Sequence, residues 1–138
     1  VIANCGLSLL GAKAKHSYVD RVLITATSYA AMGIMVNAVK WAVDEQRPDG
    51  TAFNSFPSGH TAASFAAVTA LFLEKAKFWW AALILALLIT FSRLYLYLHY
   101  PTDILGGILT GVISGIIAMV VFRRLEKIYG KNHIDTVL

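Results

Sequence analysis

The stretch SRLYLYLHYPTDILGG at residues 92–107 joins two long apolar segments, 78–98 and 101–122, and carries three ionisable residues, Arg93, His99 and Asp103. An arginine inside a membrane span costs roughly 3 kcal/mol on an insertion scale, while each apolar neighbour returns about 0.5 kcal/mol. The first segment is therefore expected to insert despite Arg93. Ionisable residues inside spans usually face the bundle interior or a water-filled cavity and mark function, so Arg93 requires a functional reason.

The overall composition agrees with a membrane protein. Of 138 residues, 57% are hydrophobic and 14% are charged, whereas an ordinary soluble domain carries about 25% charged residues. The apolar content also excludes a disordered chain. A net charge of +4 is explained by the basic residues of cytoplasmic loops, so no nucleic-acid partner is expected. The sequence predicts an all-α integral-membrane helical bundle, with residues 1–138 forming a single domain.

Two further apolar segments precede this region, one at 22–43 and one that follows Pro57-Ser58-Gly59-His60 and ends at residue 73. The second reaches only about 21 Å as a helix, which is short for a hydrocarbon core of about 30 Å. The apolar stretch 1–11 is interpreted as part of an upstream helix, and Cys5 as a small hydrophobic residue without a redox role. About four spans and a partial N-terminal segment are expected.

Three glycines, Gly107, Gly111 and Gly115, are spaced four residues apart in the last apolar segment. This small-xxx-small pattern lets another helix approach closely. It predicts tight helix packing, and no chemistry is assigned to these glycines.

The basic residues predict an orientation once Lys40, Arg47 and Arg93 are set aside as site candidates. In a four-span layout the other nine fall on one side, which the positive-inside rule makes cytoplasmic, together with the C-terminus. The candidate site is then extracytoplasmic. The nine are Lys13, Lys15, Arg21, Lys75, Lys77, Arg123, Arg124, Lys127 and Lys131.

Three short motifs carry candidate chemistry. Lys40 and Arg47 are seven residues apart, so they project from one face and form an anion clamp if the helix continues to Pro48; interfacial anchoring is the alternative. Ser58 is an expected helix N-cap, and Gly59 allows close approach of a phosphate to free backbone N–H groups, with His60 beside it. A capped helix with an interfacial histidine is the alternative there.

The third motif is Arg93, His99 and Asp103. Pro101 suits the first position of a helix, so His99 is expected in the entering turn and Asp103 in the first helical turn. The carboxylate can then reach back to the His99 ring, fix its tautomer and raise the nucleophilicity of the other ring nitrogen. A lone interfacial histidine is commonly just amphipathic, but the combination with Arg93 and Asp103 favours a functional role.

Together these motifs resemble the three signature motifs of the type 2 phosphatidic acid phosphatase superfamily, which also contains the vanadium-dependent haloperoxidases. The matching positions are Lys40-x6-Arg47-Pro48, Pro57-Ser58-Gly59-His60 and Ser92-Arg93-x5-His99-x3-Asp103. All positions are filled in the right order. Bacterial membrane members of the family generally have six spans, so the resemblance implies that this chain lacks the first two helices.

The resemblance implies a role for each motif residue. Lys40, Arg47 and Arg93 would bind the phosphoryl oxygens with help from Ser58 and the backbone of Gly59. His99 would attack phosphorus to give a phosphohistidine, and Asp103 would orient it. His60 would protonate the leaving group and later activate water. The scheme needs no metal and no cofactor.

The expected function is hydrolysis of a lipid phosphomonoester or diphosphate at the outer face of the bacterial plasma membrane. Undecaprenyl diphosphate, phosphatidylglycerol phosphate, phosphatidic acid and lipid A phosphate remain open as substrates. A lipid phosphotransferase would use the same site. A vanadate-holding haloperoxidase is disfavoured because the comparable enzymes are soluble. Outside enzymes, the alternative is a membrane protein that binds phospholipid headgroups without turnover.

Overall fold

The computed structural model of the protein describes residues 16–129. Over this range the chain forms four helices: α1 (Tyr18–Val43), α2 (Gly59–Leu73), α3 (Trp79–Tyr95) and α4 (Pro101–Tyr129). The all-α prediction is confirmed for this part of the chain. The expectations for the stretch 1–11 and for Cys5 lie outside the described residues.

Two of the four predicted spans meet the length and hydropathy of a membrane-crossing helix. These are Val19–Val43 within α1 and Pro101–Ile128 within α4, whereas Gly59–Leu73 and Trp79–Tyr95 are shorter apolar helices. Among the described residues, two candidate spans are therefore shown, and the four-span layout stays a prediction.

Helix α1 ends at Val43, the last residue of the predicted apolar segment, and does not reach Pro48. It begins with a capping box in which Ser17 and Asp20 satisfy each other's backbone N–H groups, and it ends at Val43, where Asp44 takes a left-handed conformation with φ 45°. The condition under which Lys40 and Arg47 would share a helical face, a helix that continues to Pro48, is therefore not met. Arg47 lies in the loop that follows, so the two-turn helical spacing does not explain its proximity to Lys40.

Helices α2 and α4 pack closely along the predicted glycine ridge, which is confirmed. A Cβ atom on Gly107 would lie 2.7 Å from the backbone oxygen of Ser58, and one on Gly111 would overlap the backbone oxygen of Ala62. A Cβ atom on Gly115 would meet the neighbouring α2 side chain at 2.7 Å. The α2 surface thus fills the space beside each of these glycines, which leaves no room for a side chain on α4 at these positions.

The N-terminal end of α1 meets the C-terminal ends of α2 and α4. His16 Nδ1 lies 2.7 Å from Glu74 Oε1, and the His16 ring packs edge-on against Phe122 at 5.2 Å. At this same end Lys75, Lys77 and Arg123 line one cavity of about 510 Å³. These basic residues therefore gather at the end of the bundle opposite to the N-terminus of α2.

The close approach of α2 and α4 generates a stability prediction. Gly111→Ala is expected to lower the free energy of unfolding by about 1–3 kcal/mol, because the added methyl forces backbone shifts in a filled interface. Gly33→Ala on α1 is the matched control, since a Cβ there meets nothing within 4 Å, and it is expected to be neutral or stabilising by up to about 1 kcal/mol. Thermal unfolding in detergent compares the two. Equal melting temperatures would contradict the close packing.

Candidate active site

Lys40 and Arg47 are held together by one residue of the α1–α2 loop, Asn54. The Lys40 ammonium donates to the Asn54 backbone oxygen, and Arg47 Nε donates to Asn54 Oδ1 over 2.9 Å. The loop is closed on itself, because Arg47 N donates to the oxygen of Ala52 over 2.9 Å. The loop thus replaces the expected helix as the element that pairs the two cations.

The N-terminus of α2 lies next to Lys40 and Arg47 and forms a cavity with them. Ser58 is the N-cap, as predicted, but its side chain makes no capping hydrogen bond, and its buried Oγ has no partner among the described residues. Gly59 and His60 open the first turn of the helix and line a cavity of about 360 Å³ with Lys40 and Arg47. Free N–H groups and an unused hydroxyl beside two cations form a site suited to an oxyanion.

His99 lines the same cavity from the turn between α3 and α4. Its Nδ1 lies 3.2 Å from Asp103 Oδ2, and the side chains are 4% and 0% exposed. Because an ionised carboxylate only accepts hydrogen bonds, Nδ1 carries the proton and Nε2 has a free lone pair. The predicted contact between Asp103 and the His99 ring is confirmed.

Asp103 receives two further hydrogen bonds on the same oxygen. The backbone N–H of Tyr100 donates to Oδ2 over 2.8 Å, and the Ser55 hydroxyl donates to it over 2.5 Å. The Glu45 carboxyl also interacts with Asp103. Burial raises the pKa of Glu45, and the charge of Asp103 and a hydrogen bond with it raise this pKa further.

Burial lowers the pKa of the His99 imidazole below its ordinary value of 6.5, and Arg47 and Lys40 lower it further. The hydrogen bond and the charge of Asp103 act in the opposite direction. The net effect keeps His99 neutral at pH 7. A neutral ring with Nδ1 protonated is the form that can act as a nucleophile through Nε2.

All eight predicted site residues lie in one region of the structure. Lys40, Arg47, Gly59, His60 and His99 line the cavity. The other three adjoin it, with Ser58 at the helix N-cap, Asp103 behind His99, and Arg93 close enough for its charge to act on the His60 ring. Within residues 16–129, no group of three or more His, Cys, Asp or Glu side chains is arranged to hold a metal ion.

The sequence reasoning missed Asn54, Ser55 and Glu45. These residues belong to an irregular loop, so no periodic spacing in the sequence points to them. Ser55 and its partner Asp103 are 48 residues apart in the sequence. One signal was available, because Asn54 and Ser55 closely precede the Pro57-Ser58-Gly59-His60 motif.

Comparison with known proteins agrees with this geometry. The family model of the PAP2 superfamily matches residues 21–127. The chain belongs to the PAP2 superfamily. The match includes all three motifs and all four helices apart from their outermost residues, so the resemblance noted from the motifs is confirmed.

Several proteins of this superfamily are similar to the chain. A lipid A 1-phosphatase of Porphyromonas gingivalis is 36% identical over 132 residues, covering 89% of this chain and 30% of that protein. The undecaprenyl-diphosphatase BcrC of Bacillus subtilis is 41% identical over 54 residues, covering 39% of this chain and 28% of that protein. The matched segment covers less than a third of the length of each of these two relatives.

A solved structure shares the fold. The crystal structure of Aquifex aeolicus LpxE superposes with a TM-score of 0.68 at 25% identity, and the match covers 86% of this chain and 84% of that one. The helical arrangement described above is thus that of a PAP2 protein.

The opposed influences on His99 generate a prediction. Asp103→Asn removes the negative charge that favours the imidazolium and replaces the carboxylate by a neutral amide oxygen, a weaker acceptor, so it is expected to lower the pKa of His99 further. Lys40→Gln removes a cation and is expected to raise it. The measurement is a pH titration of the His99 ring ¹⁵N signals, assigned by their loss in His99→Ala. A higher pKa in Asp103→Asn than in the wild type would contradict the assigned pairing.

Proposed function

We propose that the protein is an integral-membrane lipid phosphatase that hydrolyses a lipid phosphomonoester or diphosphate through a phosphohistidine intermediate. The observation that carries the proposal is the buried Asp103–His99 pair, joined over 3.2 Å, facing a cavity that also holds Lys40, Arg47 and His60. Membership of the PAP2 superfamily and similarity to two kinds of lipid phosphatase support it.

In the first step, His99 Nε2 attacks phosphorus while Nδ1 keeps its proton, which stays hydrogen-bonded to Asp103. A P–N bond forms as the P–O bond to the lipid breaks. His60, across the same cavity, donates a proton to the departing oxygen. The negative charge of the bound phosphate favours the protonated form of His60, so substrate binding prepares the acid.

The charge on the equatorial phosphoryl oxygens is stabilised by side chains and by a helix terminus. Lys40 and Arg47 are already positioned by Asn54, and Arg93 adds a third cation near His60. The Ser58 hydroxyl and the Gly59 N–H donate from the start of α2. Preorganised donors of this kind stabilise phosphoryl transfer, so the proposed mechanism requires no metal.

In the second step, His60, now neutral, takes a proton from water. The water oxygen attacks phosphorus, the P–N bond breaks, and inorganic phosphate leaves with His99 restored to its neutral state. His60 thus acts as the general acid in the first step and as the general base in the second, as is usual in a two-step displacement.

The proposal includes a place in the cell. The basic residues at the far end of the bundle, including Lys75, Lys77 and Arg123, suit the cytoplasmic side of a bacterial inner membrane. The site then faces the extracytoplasmic side and the C-terminus lies in the cytoplasm. Undecaprenyl diphosphate and lipid A phosphate are the substrates with which the similarities agree best, and phosphatidic acid and phosphatidylglycerol phosphate belong in the same test.

The proposed activity predicts release of inorganic phosphate by the purified protein from at least one member of a panel of lipid mono- and diphosphates. His99→Ala is expected to abolish release, because it removes the proposed nucleophile. A labelled phosphoryl group should be trapped on wild-type protein as an acid-labile adduct and not on His99→Ala. A chelator is expected to leave the rate unchanged.

Other outcomes separate the alternatives. Full phosphate release by His99→Ala would contradict the nucleophile assignment, and inactivation by a chelator that added divalent ion restores would contradict the metal-free mechanism. Appearance of the phosphate on a second lipid would show a phosphotransferase. Binding of lipid phosphates without release or adduct would show a headgroup-binding protein.

The role of His60 predicts a separate effect. His60→Ala is expected to lower kcat about 100- to 10,000-fold, the usual contribution of general acid–base catalysis. Substrate binding is expected to change little, because the cations that hold phosphate remain. The test is steady-state kinetics, with competitive inhibition by inorganic phosphate as the binding measurement. An unchanged kcat would remove His60 from the mechanism.

A further inference from the structure

The Ser55 hydroxyl lies behind His99, the candidate nucleophile. It is completely buried and points at Asp103, the carboxylate that contacts the His99 ring. Ser55 is 0% exposed, and its Oγ donates to Asp103 Oδ2 over 2.5 Å. Burying a hydroxyl without a hydrogen bond costs free energy, and the hydrogen bond to Asp103 offsets this cost. Ser55 belongs to none of the three motifs found in the sequence.

The backbone around Ser55 is fixed from both sides. Ser55 N donates to the backbone oxygen of Glu45 over 2.8 Å, and Ser58 N donates to the backbone oxygen of Asp103 over 3.0 Å. A Cβ atom on Gly106 would lie 2.6 Å from the Phe56 ring, so the loop lies directly on the first turns of α4. The Ser55 hydroxyl has little freedom to leave Asp103.

Ser55 also follows Asn54 directly in the chain. Asn54 binds the two cations of the phosphate site, while Ser55 binds the carboxylate that orients the nucleophile. Two consecutive residues therefore connect the phosphate-binding cations to the His99–Asp103 pair.

We propose that Ser55 is a positioning residue, which fixes Asp103 and through it the His99 ring relative to the cations held by Asn54. The proposal rests on the function proposed above. Of the three donors on Asp103 Oδ2, the Tyr100 N–H comes from the same turn as His99, whereas Ser55 comes from the α1–α2 loop. Ser55 alone among these three ties the His99 turn to the phosphate-binding loop.

A misplaced nucleophile loses rate more than it loses affinity. An error of about 1 Å in the position of a reacting group costs roughly 100-fold, and removal of an outer hydrogen-bond partner in comparable metal sites costs about 10- to 100-fold. The interactions of Lys40 and Arg47 with phosphate do not require the Ser55 hydroxyl. Loss of the hydroxyl should therefore separate kcat from KM.

The test compares Ser55→Ala with Ser114→Ala. Ser114 is also 0% exposed, and its Oγ donates to the Gly111 backbone oxygen over 2.8 Å, on α4 beyond the site. Ser55→Ala is expected to lower kcat about 10- to 100-fold, with KM and inhibition by inorganic phosphate unchanged. Ser114→Ala is expected to keep the wild-type kcat, whatever its melting temperature.

A second measurement does not depend on turnover. The ring ¹⁵N signals and the pKa of His99 are expected to change in Ser55→Ala and to remain as in the wild type in Ser114→Ala. A wild-type kcat in Ser55→Ala, or a loss shared equally by Ser114→Ala, would overturn the proposal. If the wild type releases phosphate from no lipid, the proposed function fails, and the His99 signals still decide whether Ser55 positions the ring.

Discussion

The site depends on the close approach of α2 and α4. Glycines on α4 let the backbone of α2 lie against it, to the point where a Cβ on Gly107 would be 2.7 Å from the oxygen of Ser58. This contact brings the N-terminal ends of both helices together, and Ser58 N donates to the backbone oxygen of Asp103 over 3.0 Å. One helix start supplies Ser58, Gly59 and His60, and the other supplies Asp103 with His99 just before it. Without the glycine ridge, side chains on α4 would separate the two helices, and the two motifs would lie further apart.

The loop between α1 and α2 adds positive charge to this junction. Lys40 and Arg47, which line one cavity, repel each other, and the repulsion weakens when an anion binds, so the site favours an anion over water. Asn54 limits this repulsion by giving Lys40 a carbonyl oxygen and Arg47 a side-chain oxygen. The geometry of the cations is therefore set before a ligand arrives, which is the condition for electrostatic stabilisation of a transition state.

Local features of this structure could be predicted from the sequence, and long-range loop contacts could not. The pairing of His99 with Asp103 follows from a spacing of four residues around a proline at the start of a helix, and the glycine ridge follows from a repeated spacing. The sequence paired Arg47 with Lys40 on condition that the helix continues to Pro48, but the helix ends at Val43. Asp44 takes a left-handed conformation there, and no glycine marks this helix end in the sequence. The contact between Ser55 and Asp103 spans 48 residues and depends on how the loop lies on α4.

The lengths of the helices give the site its depth. Helix α2 has 15 residues, about 22 Å at 1.5 Å per residue, which is less than the hydrocarbon core of about 30 Å. Its C-terminal end lies with Lys75 and Lys77 at the basic end of the bundle. If that end is anchored at one membrane surface, the start of α2 stops short of the other surface by about 8 Å. His60 and the cations then lie below the level of the lipid headgroups, and a lipid phosphate has to sink toward them while its chains stay in the bilayer. This depth is compatible with the lipid phosphate substrate of the proposed function.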